Sequence, residues 1–327
     1  MTLYIVVPCY NEEEVLPETS RRLGEKLEEL EKAGKISADS RVLFVDDGSK
    51  DRTWELISGL HKQDCRFGGV KLSRNKGHQN ALLAGLMTAK DCCDAAISMD
   101  ADLQDDINAI DKMVDAFAGG YDIVYGVRSS RATDTAFKRG TAQGFYKFMK
   151  LMGVDIVYNH ADFRLMSRRA LEGLSGFEEV NLFLRGIVPL IGYPSTTVEY
   201  ERGERFAGES KYPLKKMLAF AFDGITSFSV KPIRWVTAAG FLIFMASILA
   251  LIYIVVVKLL GFAVPGWSAT TASIWLLGGL QLLGMGVIGE YVGKIYTEVK
   301  ARPRYLIEAV ELTPAVRPHS TEPTAAR

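Results

Sequence analysis

The sequence predicts an α/β protein with a largely parallel sheet and helices on both faces, followed by a helical part of membrane character. Three observations predict it. Short β-rich apolar runs alternate with helix-period segments from Leu3 to Tyr125. Polar, acidic turns stand directly after the first, second and fourth of those runs. Beyond Arg234 the charges stop, and residues 235–257 and 259–289 contain none.

Each element has its own signal. Leu3-Tyr4-Ile5-Val6-Val7 is a strand stopped by Pro8, and the helix after it carries Leu16, Leu23, Leu27 and Leu30 near helical spacing. Val42 to Val45 is the second strand. Asp51 reads as the N-cap of a helix bearing Trp54, Ile57 and Leu60. Val70-Lys71-Leu72 is a weaker third strand, followed by an Ala- and Leu-rich helix from His78 to Lys90. Ala95 to Met99 is the fourth strand, and its helix presents Ile107, Ile110, Met113, Val114 and Phe117. Asp122 to Tyr125 is the fifth.

Composition narrows the function. The 327 residues carry 39 Lys and Arg against 39 Asp and Glu, so no net field favours nucleic acid. Cys9, Cys65, Cys92 and Cys93 lack metal-ligand spacing with His, and read as reduced thiols. The apolar run at the N-terminus is too short for a signal peptide and has no basic leader. Neither a Gly-x-Gly-x-x-Gly fingerprint nor a Walker loop follows the first strand, which counts against a dehydrogenase or a P-loop ATPase.

In open α/β sheets ligands bind beyond the carboxyl ends of the strands, so the turns there matter most. Asp100 and Asp102, with Gln104, form an all-oxygen set suited to Mg²⁺ or Mn²⁺. A metal there would bridge a diphosphate. A plain acidic turn capping the next helix, with Asp105 or Asp106 as N-cap, is the competing reading. Asp46-Asp47-Gly48-Ser49 is ordinary turn chemistry taken alone, and equally a carboxylate placed for a base or ribose.

In combination these segments resemble the family-2 glycosyltransferases, in the branch of dolichol-phosphate-mannose synthases and bacterial polyisoprenyl-phosphate glycosyltransferases. The resemblance rests on Val7 to Glu12, Val45 to Thr53, Arg74-Asn75-Lys76-Gly77, Met99 to Asp105, Gly126-Val127-Arg128, Asp162-Phe163-Arg164-Leu165 and Arg205 to Lys211. These occur in the family's order and span about residues 3–235. The one departure is Asp105-Asp106-Ile107, where the family often has proline.

The resemblance implies a glycosyltransferase A-type, Rossmann-like catalytic domain over residues 1–212. It implies that Pro8, Tyr10, Glu12, Asp47, Asp100 and Ala101 hold the nucleotide-sugar. Asp102, Gln104 and Asp100 would bind the metal. Arg128, Arg205 and Lys211 would meet the phosphates of donor or acceptor, with the loop Gly203 to Lys211 closing over them. Asp162 would be the general base, with Asp102 beside it in catalysis. A phosphate monoester is already largely a dianion at neutral pH, so Asp162 could instead orient Arg164 or His160.

The remaining chain reads as a membrane anchor. Residues 213–234 form a juxtamembrane region, where Leu214 to Val230 is either an amphipathic helix in the headgroup plane or a core helix. Two transmembrane helices are expected within 235–293, at 236–257 and 272–292. Lys231 and Arg234 before them, and Lys294, Lys300, Arg302 and Arg304 after, place both termini in the cytoplasm. Lys258 is a contrary vote. Gly289 and Gly293 permit close packing of spans or of copies of the chain. Residues 294–327 read as a cytoplasmic tail, disordered from Thr313.

The expected activity is inverting transfer of one sugar, with UDP-glucose the favoured donor, to undecaprenyl or a similar lipid phosphate at a bacterial inner membrane. GDP-mannose and other UDP-sugars stay open. A processive polysaccharide synthase fits poorly, because only Arg234-Trp235 remains of its Gln-x-x-Arg-Trp motif and two spans make no channel. A non-catalytic membrane scaffold with a degenerate transferase domain is the alternative of another class.

Overall fold

The apolar runs form strands as predicted, but the sheet is mixed rather than parallel. In the computed structural model, which describes residues 1–129, 160–201, 229–260 and 266–313, β1 (Leu3–Cys9) lies between β2 (Arg41–Asp46) and β4 (Ala95–Ser98). β3 (Phe67–Leu72) continues beyond β2, and all four are parallel. β5 (Ile123–Arg128) does not join β4 directly. An inserted strand, β6 (His160–Ser167), is antiparallel to both. β7 (Ser195–Tyr200) extends one edge parallel to β5, and β8 (Ile307–Glu311) the other edge antiparallel to β3. The order is β7-β5-β6-β4-β1-β2-β3-β8.

Both faces of β1 are buried, which is why its sequence is continuously apolar. Leu3, Ile5 and Val7 join a core with Leu16, Leu23, Leu27 and Leu30 of α1 (Leu16–Lys32) and Ile110, Met113 and Val114 of α4 (Ala109–Ala118). Val6 points the other way, toward α3 (His78–Lys90). There Gly85 lets helix and sheet meet: a Cβ on it would stand 2.4 Å from Val6 Cγ1 and 2.5 Å from Val45 Cγ2. α2 (Thr53–Gln63) starts two residues after Asp51, with Arg52 at the cap. Asp51 is therefore not the N-cap, although its Oδ1 accepts the Thr53 amide at 3.1 Å.

β6 carries Phe163, Arg164, Leu165 and Met166, all buried. A charged residue in the middle of a central strand hides that strand from pattern reading. β6 leads into α5 (Arg168–Ser175), capped by the Ser167 hydroxyl, which accepts the Ala170 amide at 3.1 Å. α6 (Leu184–Leu190) follows. All four cysteines are free.

The chain divides into two compact units. One holds the sheet and its helices and includes β8, so residues 307–311, expected within a tail, return to the sheet. The other contains α7 (Lys231–Leu259, 29 residues) and α8 (Trp267–Val299, 33 residues). These helices overlie the two segments expected to span. Among the described residues, no helix is long and apolar enough to cross a membrane; the side chains of Phe244, Leu251, Ile254, Val255 and Val257 in α7 fall outside that description. Most of the expected juxtamembrane region, residues 213–228, also lies outside the described residues.

Candidate active site

The site is assembled from loops at the carboxyl ends of β1, β2 and β4, the start of α3, and β6. The loop after β1 places Tyr10 in the open and Asn11 in the left-handed region at φ 55°. Asn11 is stapled to the β2 loop in both directions: its amide donates to Ser49 Oγ at 3.0 Å and its Oδ1 accepts the Lys50 amide at 2.8 Å. Glu12 donates its amide to Thr53 Oγ1 at 2.9 Å. Pro8 is buried within β1, opposite Val45. Pro8, Tyr10, Glu12 and Asp47 thus share one corner.

Asp47 is nearly fully buried and organises a third loop. Its Oδ1 accepts the Lys76 amide at 2.7 Å and its Oδ2 the Gly77 amide at 2.9 Å. Burial pushes its pKa up, and those two amides offset part of the effect. Gly48, at φ +67°, is required there: a Cβ would come within 2.6 Å of the Arg74 and Asn75 backbone.

Asp100 and Asp102 flank Ala101 beyond β4. The loop is anchored through the Ala101 carbonyl, which accepts the Thr19 hydroxyl at 2.9 Å. It turns at Leu103, φ 57°, a second non-glycine residue in the left-handed region. The Asp100 side chain keeps 35% of its surface accessible, yet protein surrounds it closely enough to push its pKa up to about 6. Burial is the main cause, His78 opposes it, and Asp105, Asp162 and Asp102 add to it. Gln104 is buried and lines a groove with Arg22 and Lys26 of α1.

Among the described residues no three His, Cys, Asp or Glu side chains are grouped to hold a metal. Asp100 and Asp102 nevertheless fit one class of site. Mg²⁺ is commonly held by one or two carboxylates, with substrate phosphates and water completing its shell.

Asp162, on β6, is a bracket for two arginines. Arg164 Nη2 donates to Oδ1 at 2.7 Å, and Arg185 Nη2 of α6 donates to Oδ2 at 3.0 Å. Burial alone would push the Asp162 pKa up, but Arg185 and Arg164 together outweigh it and hold the group well below the usual carboxylate range. So depressed a carboxylate is a weak base. Arg164 is wholly buried, and burial lowers its own pKa against the pull of Asp162.

Arg128, at the end of β5, meets protein partners: its Nε donates to the Tyr200 hydroxyl at 3.2 Å and Nη2 lies 3.6 Å from Asp105 Oδ1. Tyr200 in turn donates to Asp105. Arg205 and Lys211 lie outside the described residues.

Sequence reasoning missed His78, Arg185, Tyr200 and Asp105. His78 Nε2 lies 3.5 Å from Asp100 Oδ1 and 3.7 Å from Asp162 Oδ2. The signal for it was adjacent: His78 is the next residue after Arg74-Asn75-Lys76-Gly77. Arg185 and Tyr200 stand in no motif, and only folding brings them in.

With this geometry, residues 4–175 match glycosyl transferase family 2 over more than half of the chain. The chain belongs to that family. The transferase is 57% identical over 306 residues to an uncharacterized glycosyltransferase, YkoT, of Bacillus subtilis, covering 94% of this chain and 91% of that one. It is 40% identical over 311 residues to the bactoprenol glucosyl transferase of Shigella phage SfX, covering 94% and 99%. A prophage bactoprenol glucosyl transferase homolog of Escherichia coli is likewise 40% identical, covering 95% of this chain and 100% of its own length. Among solved structures, the transferase is similar to glucosyl-3-phosphoglycerate synthase from Mycobacterium tuberculosis at 16% identity and TM-score 0.41, over 69% and 76% of the two chains.

Proposed function

We propose that the transferase moves one hexose from a nucleotide-sugar, with UDP-glucose the favoured donor, to a polyisoprenyl phosphate at the cytoplasmic face of a membrane, with inversion. The observation that carries this reading is that the Asp47 corner and the Asp100–Asp102 loop stand at the carboxyl ends of three consecutive parallel strands, β4, β1 and β2. Relatives named bactoprenol glucosyl transferases, matched along nearly their whole length, supply the lipid acceptor and the glucose.

The nucleotide would lie in the corner formed by Pro8, Tyr10, Glu12 and Asp47, with Asp100 and Ala101 along its diphosphate side. Asp102, Asp100 and Gln104 would hold Mg²⁺ or Mn²⁺. When bound, such an ion neutralises the charge that develops on the leaving diphosphate. Arg128 would face phosphate from the Asp105–Tyr200 cluster, joined by Arg205 and Lys211.

The acceptor's phosphate oxygen attacks the anomeric carbon as the bond to the diphosphate oxygen breaks. A phosphate monoester with a second pKa near 6 is mostly a dianion at neutral pH, so it requires alignment more than deprotonation. Asp162 then serves best as the bracket that fixes Arg164 and Arg185, and not as the base.

For the membrane, the support is in the sequence: α7 and α8 overlie the uncharged stretches 235–257 and 259–289. They expose large apolar side chains, among them Phe241, Leu242, Leu249, Ile252, Leu282, Leu283 and Ile288. Such a surface calls for a lipid or protein partner. The basic residues outside the helix pair favour cytoplasmic termini.

Purified protein in detergent, incubated with undecaprenyl phosphate, Mg²⁺ or Mn²⁺ and several labelled nucleotide-sugars, with and without EDTA, tests the reading. Metal-dependent label in the lipid phase from one donor is expected. No lipid product from any donor, with Asp102→Ala indistinguishable from wild type in cells, would favour the membrane scaffold instead.

A further inference from the structure

We propose that His78 determines donor specificity by hydrogen-bonding the transferred hexose, an inference that rests on the transferase reading above. In a single displacement the sugar stands between the leaving diphosphate and the incoming nucleophile. A side chain that stands in the site beside the donor loop, between the ends of β4 and its neighbour β6, is placed to reach the sugar. His78 stands there: its Nε2 is 3.5 Å from Asp100 Oδ1 on the donor loop and 3.7 Å from Asp162 Oδ2 on β6. Both separations exceed ordinary hydrogen-bond length, so the ring is fully committed to neither carboxylate.

Its surroundings fix the ring while leaving it reachable. His78 opens α3, a 13-residue helix whose Ala81 to Leu86 are buried against the sheet. Gly77, at φ +86°, sets the entry into that helix. The His78 side chain remains 42% accessible. The next two polar side chains are turned to backbone: Gln79 Oε1 accepts the Leu184 amide at 2.8 Å, and Asn80 Nδ2 donates to the Lys76 carbonyl at 2.9 Å. Asp162 is occupied by Arg164 and Arg185. That leaves the imidazole to present a hydrogen-bonding edge to the gap. An imidazole edge can hydrogen-bond a sugar hydroxyl, which both donates and accepts. A site built to hydrogen-bond a hydroxyl discriminates strongly against a substrate that presents it elsewhere.

The test compares kcat/KM for UDP-glucose and its 4-epimer, UDP-galactose, in the full-length wild type, His78→Ala and His78→Gln. UDP binding is measured by calorimetry on the same proteins. His78→Ala should compress the epimer preference by about tenfold or more, with UDP affinity within about twofold of wild type. His78→Gln, which keeps a donor and an acceptor, should recover part of the preference. A preference unchanged in both variants would overturn the inference while leaving the transferase reading intact. UDP affinity falling in step with activity would also overturn it, because His78 would then serve the nucleotide or the fold. Wild type that transfers no sugar to lipid phosphate would overturn both readings together.

Discussion

Arg164, buried in the middle of β6, places Nη2 2.7 Å from Asp162 Oδ1. Neither partner can be removed alone without leaving the other charge inside the protein. Asp162→Ala should therefore destabilise the sheet-bearing unit by about 3–5 kcal/mol, the range for breaking a buried pair. Asp162→Asn should cost less, because the amide oxygen still accepts from Arg164. Denaturant titrations of the three proteins check this; equal midpoints for Asp162→Ala and wild type would refute the bracket.

The same geometry bears on pH. Arg185 and Arg164 hold Asp162 ionised through the neutral range. The rate of sugar transfer should therefore show no limb between about pH 5 and 8 that disappears in Asp162→Asn. A limb that is lost in that variant would restore the general base.

Gly48→Ala should disable nucleotide binding and folding together. The left-handed φ of +67° costs an L-residue about 1–2 kcal/mol, and the added methyl would also strike the Arg74–Asn75 backbone. The displaced segment is the one whose amides bind Asp47. Thermal melts with and without UDP give the readout: a lower Tm and a smaller shift on adding UDP.

Asp122 offers a pH-dependent test away from the site. It accepts the Ser167 hydroxyl at 2.7 Å and pairs with Arg169. Burial raises its pKa, but Arg169 and Ser167 outweigh that and lower it. A lowered folded pKa means the stabilisation is present above the unfolded value, near 4, and is lost as pH falls through the folded one. Asp122→Asn should thus be less stable by about 1–2 kcal/mol at pH 7, with Arg169 discounted for its exposure. The difference should shrink toward pH 3.

Ending the chain after Arg304 removes β8 and uncovers the edge of β3. The Ser73 amide loses the Leu306 carbonyl at 3.0 Å, and Lys71 loses Glu308 at 2.8 Å. Ser58 loses Glu311 at 3.0 Å. Because Ser73 leads directly into the loop that binds Asp47, UDP affinity should fall along with Tm, by about 2–4 °C per kcal/mol lost. A truncated chain that binds UDP as tightly as wild type would show that β8 only covers an edge.

The sequence by itself determined the elements whose pattern is local. β1 to β5 and α1 to α4 follow from apolar runs and helical spacing, and the acidic turns after β1, β2 and β4 point to the carboxyl edge of the sheet. Their motifs also sufficed for the family. Only the tertiary structure decided what depends on distant partners. β6 is hidden by Arg164, whose burial makes sense only beside Asp162. β8 is contributed by a segment more than two hundred residues away from the strand it covers. Asp162 read either as a base or as a residue that orients its neighbours, and only folding brings Arg164 and Arg185 onto it, because a carboxylate's pKa is set by charges brought near in space. Arg128 read as a phosphate binder, and only folding brings Asp105 and Tyr200 against it. His78 gains its meaning from two carboxylates, one in the loop after β4 and one on β6, a relationship that no spacing along the chain records.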